Sequence, residues 1–435
     1  MSSAIYERLA AISFSRPSGT REEKNAAEFL AGEILQIGFE PEEESFTYTQ
    51  RVPVRAELTA VTANGERIAF PVTGLIDSAD TAPGGDEAEF HYLKSLDEVS
   101  LTRVRGKIVL LHDRLSEEEY RRLRKAGIAG YVTTSGTVRD TPENSDLETG
   151  RLRYQLPDLD AVPAFTIRMI DAVRLLRARP VKLHVLLQTE ERTVRSQNVT
   201  VVVPGNDKAA ETLVVGAHYD SVPFSLGAWD NGAGAAEIVE LLSHLRTHPP
   251  RRTVKAVLFG SEETGLRGSK AWVQAHENEL ADIQGMVNVD VGGSILGKEI
   301  VFVTAEDDAE VWARQLLREA GYEAVTTQRV MSSDSAVFSD HGIPSVSLGQ
   351  GAPRGGGYMH TRYDNMDLIS ADVLEAEAGF LAQLTDRLAN AEVFPIRRVI
   401  PEKLRKELIR YFGKDKSAAA SLPPEEETKP LPFHF

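Results

Sequence analysis

The run Leu213-Val214-Val215-Gly216-Ala217-His218-Tyr219-Asp220 constrains this chain more than any other. It begins as an apolar segment of strand length, breaks at Gly216, and then presents a histidine and an acid. Asp230 and Asn231 follow, and behind them Gly232, Ala233, Gly234, Ala235 and Ala236 open a helix. A buried strand that ends in a histidine and carboxylates, ahead of a helix of small residues, reads as the floor of a metal site.

Past that stretch, apolar strand-like runs at 254–260, 285–289, 300–303, 324–329 and 345–348 alternate with helical periodicity at 232–246, 268–279, 309–320 and 370–390. Alternation of this kind predicts an α/β fold, a mostly parallel sheet with helices on both faces. Ligands of such sheets sit at the carboxyl ends of the strands. At the other end of the chain, residues 3–13 predict a short helix, and Ser18 or Thr20 caps a longer one running to Gln36. Glu22 and Glu23 fall in its first turn, where the helix dipole favours acids, and Gly38 stops it. Residues 43–51 alternate like a strand.

Between 54 and 190 the character changes to short apolar runs separated by polar loops, with one clear helix at 116–126 in which Ser116 and Glu119 are spaced as a capping box. His91, His112 and His184 are isolated there and read as structural. The tail holds a helix at 401–412, a segment 414–430 whose Ala, Ser, Pro and Glu content reads as disordered linker, and a short apolar end at 431–435. With 435 residues, two domains are expected. We divide the chain into N-terminal helices of the catalytic domain (1–53), an inserted smaller domain (54–190), the catalytic domain proper (191–394) and a C-terminal helix with its tail (395–435).

Composition narrows the chemistry. There is no cysteine, which removes disulfides and thiolate sites, so a metal must be held by His, Asp and Glu. A formal net charge of −16 argues against nucleic acid as a partner. No segment reaches bilayer-spanning length, and no leader is evident at the N-terminus, so a soluble cytoplasmic protein is expected.

Metal-capable side chains recur just past strands in five places. They are His218 with Asp220, then Asp230, then Glu262-Glu263 behind Val257-Leu258-Phe259-Gly260, then Asp290 behind Val287-Asn288-Val289, and His360 in the loop 355–361. Singly, each is an ordinary polar residue at a strand end. Together at one sheet edge they match what two neighbouring cations require: two imidazoles, a carboxylate able to bridge, and two more carboxylates. Adjacent Glu262 and Glu263 are poorly placed to serve one ion together, so one is expected as ligand and the other as general base. Asp220 is placed to hold the far nitrogen of His218.

These motifs resemble the co-catalytic zinc exopeptidase family that contains aminopeptidase Y, bacterial leucyl aminopeptidases and glutamate carboxypeptidase II. The similarity lies in Gly216–Ser221, Gly227–Gly234, Gly260–Ser269, Asn288–Asp290 and His360–Asp364, in the family's order. It implies that His218, Asp230 and Asp290 hold one zinc and that Asp230, Glu263 and His360 hold the other. Glu262 is implied as the catalytic base, with Asp220 as the partner of His218 and a cis Asp230-Asn231 bond. Cobalt or manganese are possible substitutes. Gly106–Leu111, Lys125–Val132 and Val162–Phe165 resemble the protease-associated domain, a lid or substrate-steering insert in such enzymes.

Two positions depart from the family pattern. Ser335 stands where a His is common, and Val330 stands where some relatives have a Tyr that supports the tetrahedral intermediate, leaving Tyr358 as the substitute donor. Asp340-His341 reads as loop chemistry rather than a further ligand pair. The expected activity is removal of N-terminal residues from short peptides. A carboxypeptidase or deacylase on the same site is the alternative, with Arg354 and Arg362 as the nearby cations for a free carboxylate. A glutaminyl cyclase is disfavoured, since relatives of that kind use one zinc. A non-catalytic peptide receptor is the reading from another class. Peptide is the expected partner, with no nucleic acid, no membrane and a possible homo-oligomer.

Overall fold

A computed structural model describes residues 3–112, 115, 117–136, 140–152, 159–352 and 358–413. Ser116 of the expected capping box, Arg354, Gly355–Gly357 and the tail 414–435 lie outside the described residues. The chain divides into two compact units, residues 1–47 with 195–435, and residues 48–194.

In the first unit, α1 (Ala4–Ile12) and α2 (Arg21–Ile37) come first. The Thr20 hydroxyl caps α2 by accepting from Glu23 N, and Gly38 ends it at φ 95°, a left-handed conformation that suits a residue without Cβ. The sheet is built from β1 (Pro180–Val203, of which residues 199–203 pair here), β2 (Lys208–His218), β3 (Arg252–Phe259), β4 (Ile283–Val289), β5 (Lys298–Thr304), β6 (Val325–Thr327) and β7 (Ser345–Gly351). Their order is β6-β5-β7-β4-β2-β3-β1. Neighbours run parallel except β5 with β7 and β3 with β1. The mostly parallel sheet expected from the alternation is therefore present.

Alternate strand residues serve opposite layers, as the pleat dictates. Leu213, Val215, Ala217, Ala256 and Leu258 pack in one cluster with α1, α2, α3 (Ala233–Thr247), α5 (Asp307–Ala320) and α7 (Ala371–Asn390). Val214, Val257 and Phe259 pack in another with Trp272 of α4 (Arg267–Ala275) and Phe338 of α6 (Ser335–Asp340). Leu404 and Leu408 of α8 (Glu402–Tyr411) cover Ala336 of α6.

Within the second unit, Phe90–Tyr92, Ile108–Leu110, Gly130–Ser135 and Ala164–Arg168 pair successively in parallel. A helix at Met169–Ala178 was not anticipated from the sequence. It carries no side-chain cap at its start, and its polar Asp171 is buried between Arg168 and Arg174, at 2.6 and 2.7 Å, so neither a cap nor a clean apolar stripe announces it.

Candidate metal centre

The site forms where chain order reverses. β3 adds on one side of β2, and the next strand, β4, adds on the other. A crevice opens at the carboxyl ends of such strands. His218 is the last residue of β2 and faces Phe259, the last of β3, so Glu262 and Glu263 follow at the same level. Asp290 follows β4 with its N–H on Leu348 O of β7, at 3.0 Å. Asp230 lies in the buried turn between β2 and α3, and its bond to Asn231 is cis. His360 lies in the segment after β7.

Two ligand-type groups result, one of His218, Asp230 and Asp290 and one of Asp230, Glu263 and His360. His218 Nε2 is 3.2 Å from Asp230 Oδ1 and 3.3 Å from Asp290 Oδ1. His360 Nε2 is 3.0 Å from Asp230 Oδ2 and 3.1 Å from Glu263 Oε2. Asp230 thus turns one oxygen to each group. Ligands at about 2.0–2.2 Å from a tetrahedral zinc stand about 3.3–3.6 Å from one another, so these spacings of 3.0–3.3 Å need to open by only a few tenths of an ångström to hold a cation at each place. The buried second oxygen of Glu263 has no hydrogen-bond partner, which also suits a group facing a cation.

The electrostatics agree with that fit. Burial alone would depress the His218 imidazole, but the carboxylates of Asp290, Asp220 and Asp230 override it and raise it well above its usual value. His360 follows the same pattern with Glu263 and Asp230. Burial opposes ionisation of Asp230, yet its two imidazole contacts hold the carboxyl below the ordinary range. The pocket of acids therefore demands positive charge. Glu262 is driven well above the usual carboxyl range, chiefly by burial.

Asp220 is fully buried and does more than face His218. Its Oδ1 lies 3.4 Å from His218 Nδ1, within ion-pair reach but without hydrogen-bond alignment. Its two oxygens accept from Glu262 N at 2.9 Å and Glu263 N at 3.2 Å, and Ser18 Oγ donates to it at 2.8 Å. Three neighbouring residues are held in left-handed conformations that L side chains disfavour: Ser261 (φ 55°), Val291 (φ 72°) and His360 (φ 59°).

Three buried side chains that sequence reasoning left without a site role support this frame. Arg16 donates to the carbonyls of Ile12, Leu226 and Gly227 at 2.8, 2.6 and 2.7 Å, and also to Phe14 and Tyr219, pinning both ends of the loop between His218 and Asp230. Burial lowers its guanidinium to about 10. Asp364 accepts from Trp229 N at 2.7 Å and Asp230 N at 3.2 Å, and burial lifts its carboxyl to about 7. Asp364 was legible as part of the motif around His360, but not its contact. The third, Glu23, is on α2 and accepts from Ser261.

The remaining polar groups singled out from the sequence have other partners. His341 Nδ1 meets Val337 O of its own helix at 2.9 Å. Ser335 accepts from Ser347 Oγ at 2.9 Å. The Tyr358 hydroxyl, buried beside Trp229, donates to Ser294 Oγ at 2.8 Å, which uses its proton there.

Residues 198–385, the span that holds every one of these ligand-type side chains, match the profile of peptidase family M28. Over this span, which is less than half of the chain, the sequence is similar to that peptidase family. Aminopeptidase YwaD of Bacillus subtilis is 28% identical over 398 residues, spanning 88% of this chain and 81% of that one. Human carboxypeptidase Q is 24% identical over 413 residues, spanning 89% and 85%. The solved zinc aminopeptidase BSAP from Bacillus subtilis aligns over 92% of this chain and 97% of its own, with TM-score 0.71 and 23% identity. A peptidase M28 precursor from Shewanella amazonensis aligns over 91% and 94%, with TM-score 0.69 and 25% identity. The M28 fold thus extends over most of the chain. Among the described residues no helix is long and apolar enough to cross a membrane.

Proposed function

We propose that this protein is an M28-type peptidase, a two-zinc aminopeptidase that removes the N-terminal residue of short peptides. The observation that carries the count of two is Asp230, whose oxygens turn to His218 on one side and His360 on the other. His218, Asp230 and Asp290 would hold one ion, and Asp230, Glu263 and His360 the other. Bound there, the ions would supply Lewis acidity toward a carbonyl and lower the pKa of a water. Glu262 then takes a proton from the attacking water and passes it to the departing amine. Burial, which raises its carboxyl, suits it to that exchange. Asp220 keeps the His218 ring and the 262–263 turn in place. The name of the Bacillus subtilis relative supports the choice of an amino over a carboxyl terminus.

The unit 48–194 is read as the protease-associated insert. Its motif residues lie on or beside three successive parallel strands, Ile108–Leu110, Gly130–Ser135 and Ala164–Arg168, which supports the reading. A cytoplasmic location is retained as part of the proposal. A screen of amino-acid p-nitroanilides against N-blocked peptides, on zinc-loaded protein, tests the activity. Release of p-nitroaniline from free amino-terminal substrates is expected. Turnover confined to N-blocked peptides with a free carboxyl end would instead establish the carboxypeptidase reading that the carboxypeptidase Q relatives represent. No turnover with metal bound would leave a receptor.

A further inference from the structure

Glu23 first presents itself as an acid in the opening turn of α2, where the helix dipole is reason enough for it. Its contacts go further. The side chain is buried, and one oxygen, Oε2, accepts from Gly19 N at 2.6 Å, next to the cap residue Thr20. The other, Oε1, accepts from Ser196 Oγ at 2.9 Å, Ser261 N at 2.8 Å and Ser261 Oγ at 3.0 Å. All four of its donors lie outside α2, three of them far along the chain, and two belong to the residue immediately before Glu262.

Ser261 needs such a partner. At φ 55° it occupies a region that L side chains disfavour and that persists only when surroundings impose it. Its neighbours are fixed as well. Gly260 N donates to Asn198 Oδ1 at 3.2 Å, Arg267 N donates to Ser261 O at 3.0 Å, and Glu262 N and Glu263 N donate to Asp220. Two buried acidic side chains, Glu23 and Asp220, thus hold three consecutive backbone N–H groups. The direction in which the Glu262 side chain leaves the backbone follows from that clamp.

We propose that Glu23 is a positioning residue for the catalytic base: by clamping Ser261 in its left-handed conformation, its carboxyl group aims Glu262 at the metal centre. The inference rests on the reading of Glu262 as base. A displaced base loses turnover while substrate and metal still bind, because a misplacement of about 1 Å costs up to about 10²-fold in rate.

The test compares E23A, E23Q, T20A and E262Q as zinc-loaded full-length proteins, by kcat, KM, zinc content and Tm. E23A is expected to lose roughly 10- to 100-fold in kcat, with KM and zinc content within about twofold of the parent. E23Q retains an acceptor oxygen for Ser261 and is expected to recover most of that loss. T20A weakens the same helix start without touching Ser261, so it is expected to lower Tm and keep kcat. If E23A does not fold, S261A serves instead, since it removes one of the clamp's bonds and is expected to lower kcat at constant KM. Parental kcat in E23A, or an equal fall in T20A, overturns the role of Glu23 while an inactive E262Q leaves the base in place. An E262Q variant with parental turnover removes the base itself, and the positioning role with it.

Discussion

Asp230 is the sharpest point at which to perturb the site, because it is the one residue common to both ligand groups. Each group offers three metal-capable side chains, so Asp230→Ala leaves two at each. Structural zinc sites with four ligands bind with about 10–16 kcal/mol, or about 2.5–4 kcal/mol per ligand. Losing one ligand should then weaken each ion by roughly 10²- to 10³-fold, at about 1.4 kcal/mol per tenfold. Asp290→Ala and Glu263→Ala each remove a ligand from one group and leave the other whole. Elemental analysis after dialysis against a graded chelator reads the difference directly. At a chelator strength the parent withstands with about two ions per chain, Asp230→Ala should retain fewer than about one-half, and each of the other variants about one. Near-parental metal in Asp230→Ala, or equal losses in all three variants, would refute the shared carboxylate.

Two further outcomes follow from the same contacts. Glu262→Gln should keep both metals and lose at least about 10²-fold in kcat, since the amide cannot take a proton from water; elemental analysis beside turnover checks it, and parental turnover would remove the role. Glu237 on α3 is buried and pushed up to about 8, mainly by burial, with Glu377 partly opposing the rise by hydrogen bonding and Glu299 adding to it. The folded protein therefore binds this proton more tightly than the unfolded chain does, and stability declines as pH rises from about 4.5 to about 8. Glu237→Gln removes that decline, so its Tm relative to the parent should climb between pH 5 and pH 8; a difference independent of pH would show that Glu237 does not titrate in that window.

Much of the frame was legible because its signals are local. Thr20 as a cap and Gly38 as a stop need only their own helix, and both have those places. The strands that carry His218, Glu262 and Asp290 at their ends are apolar runs bounded by glycine or polar residues, and parallel pairing follows from the helices between them. The very short α6 escaped this reasoning. Residues 335–340 form a single buried turn-and-a-half, too brief for periodicity to register. The distribution of work around the site was hidden for another reason. Arg16 and Glu23 look like surface charges of an N-terminal segment, and only contacts with partners more than 200 residues away show them buried. Asp364 sat within a motif, yet its bond to the Asp230 turn spans 134 residues.

Local order in the chain specified which chemical groups arrive at which strand end, and the lack of cysteine confined metal chemistry to imidazole and carboxylate. Their convergence is a property of strand order alone. β2 lies between β3 and β4, so that residues far apart in sequence meet within hydrogen-bonding distance, and no periodicity of apolar residues encodes that adjacency. The choice of which oxygen of Asp230 faces which imidazole, and which buried carboxylate steadies the turn before Glu262, is made only when the whole core closes, because burial is what gives those few contacts their strength.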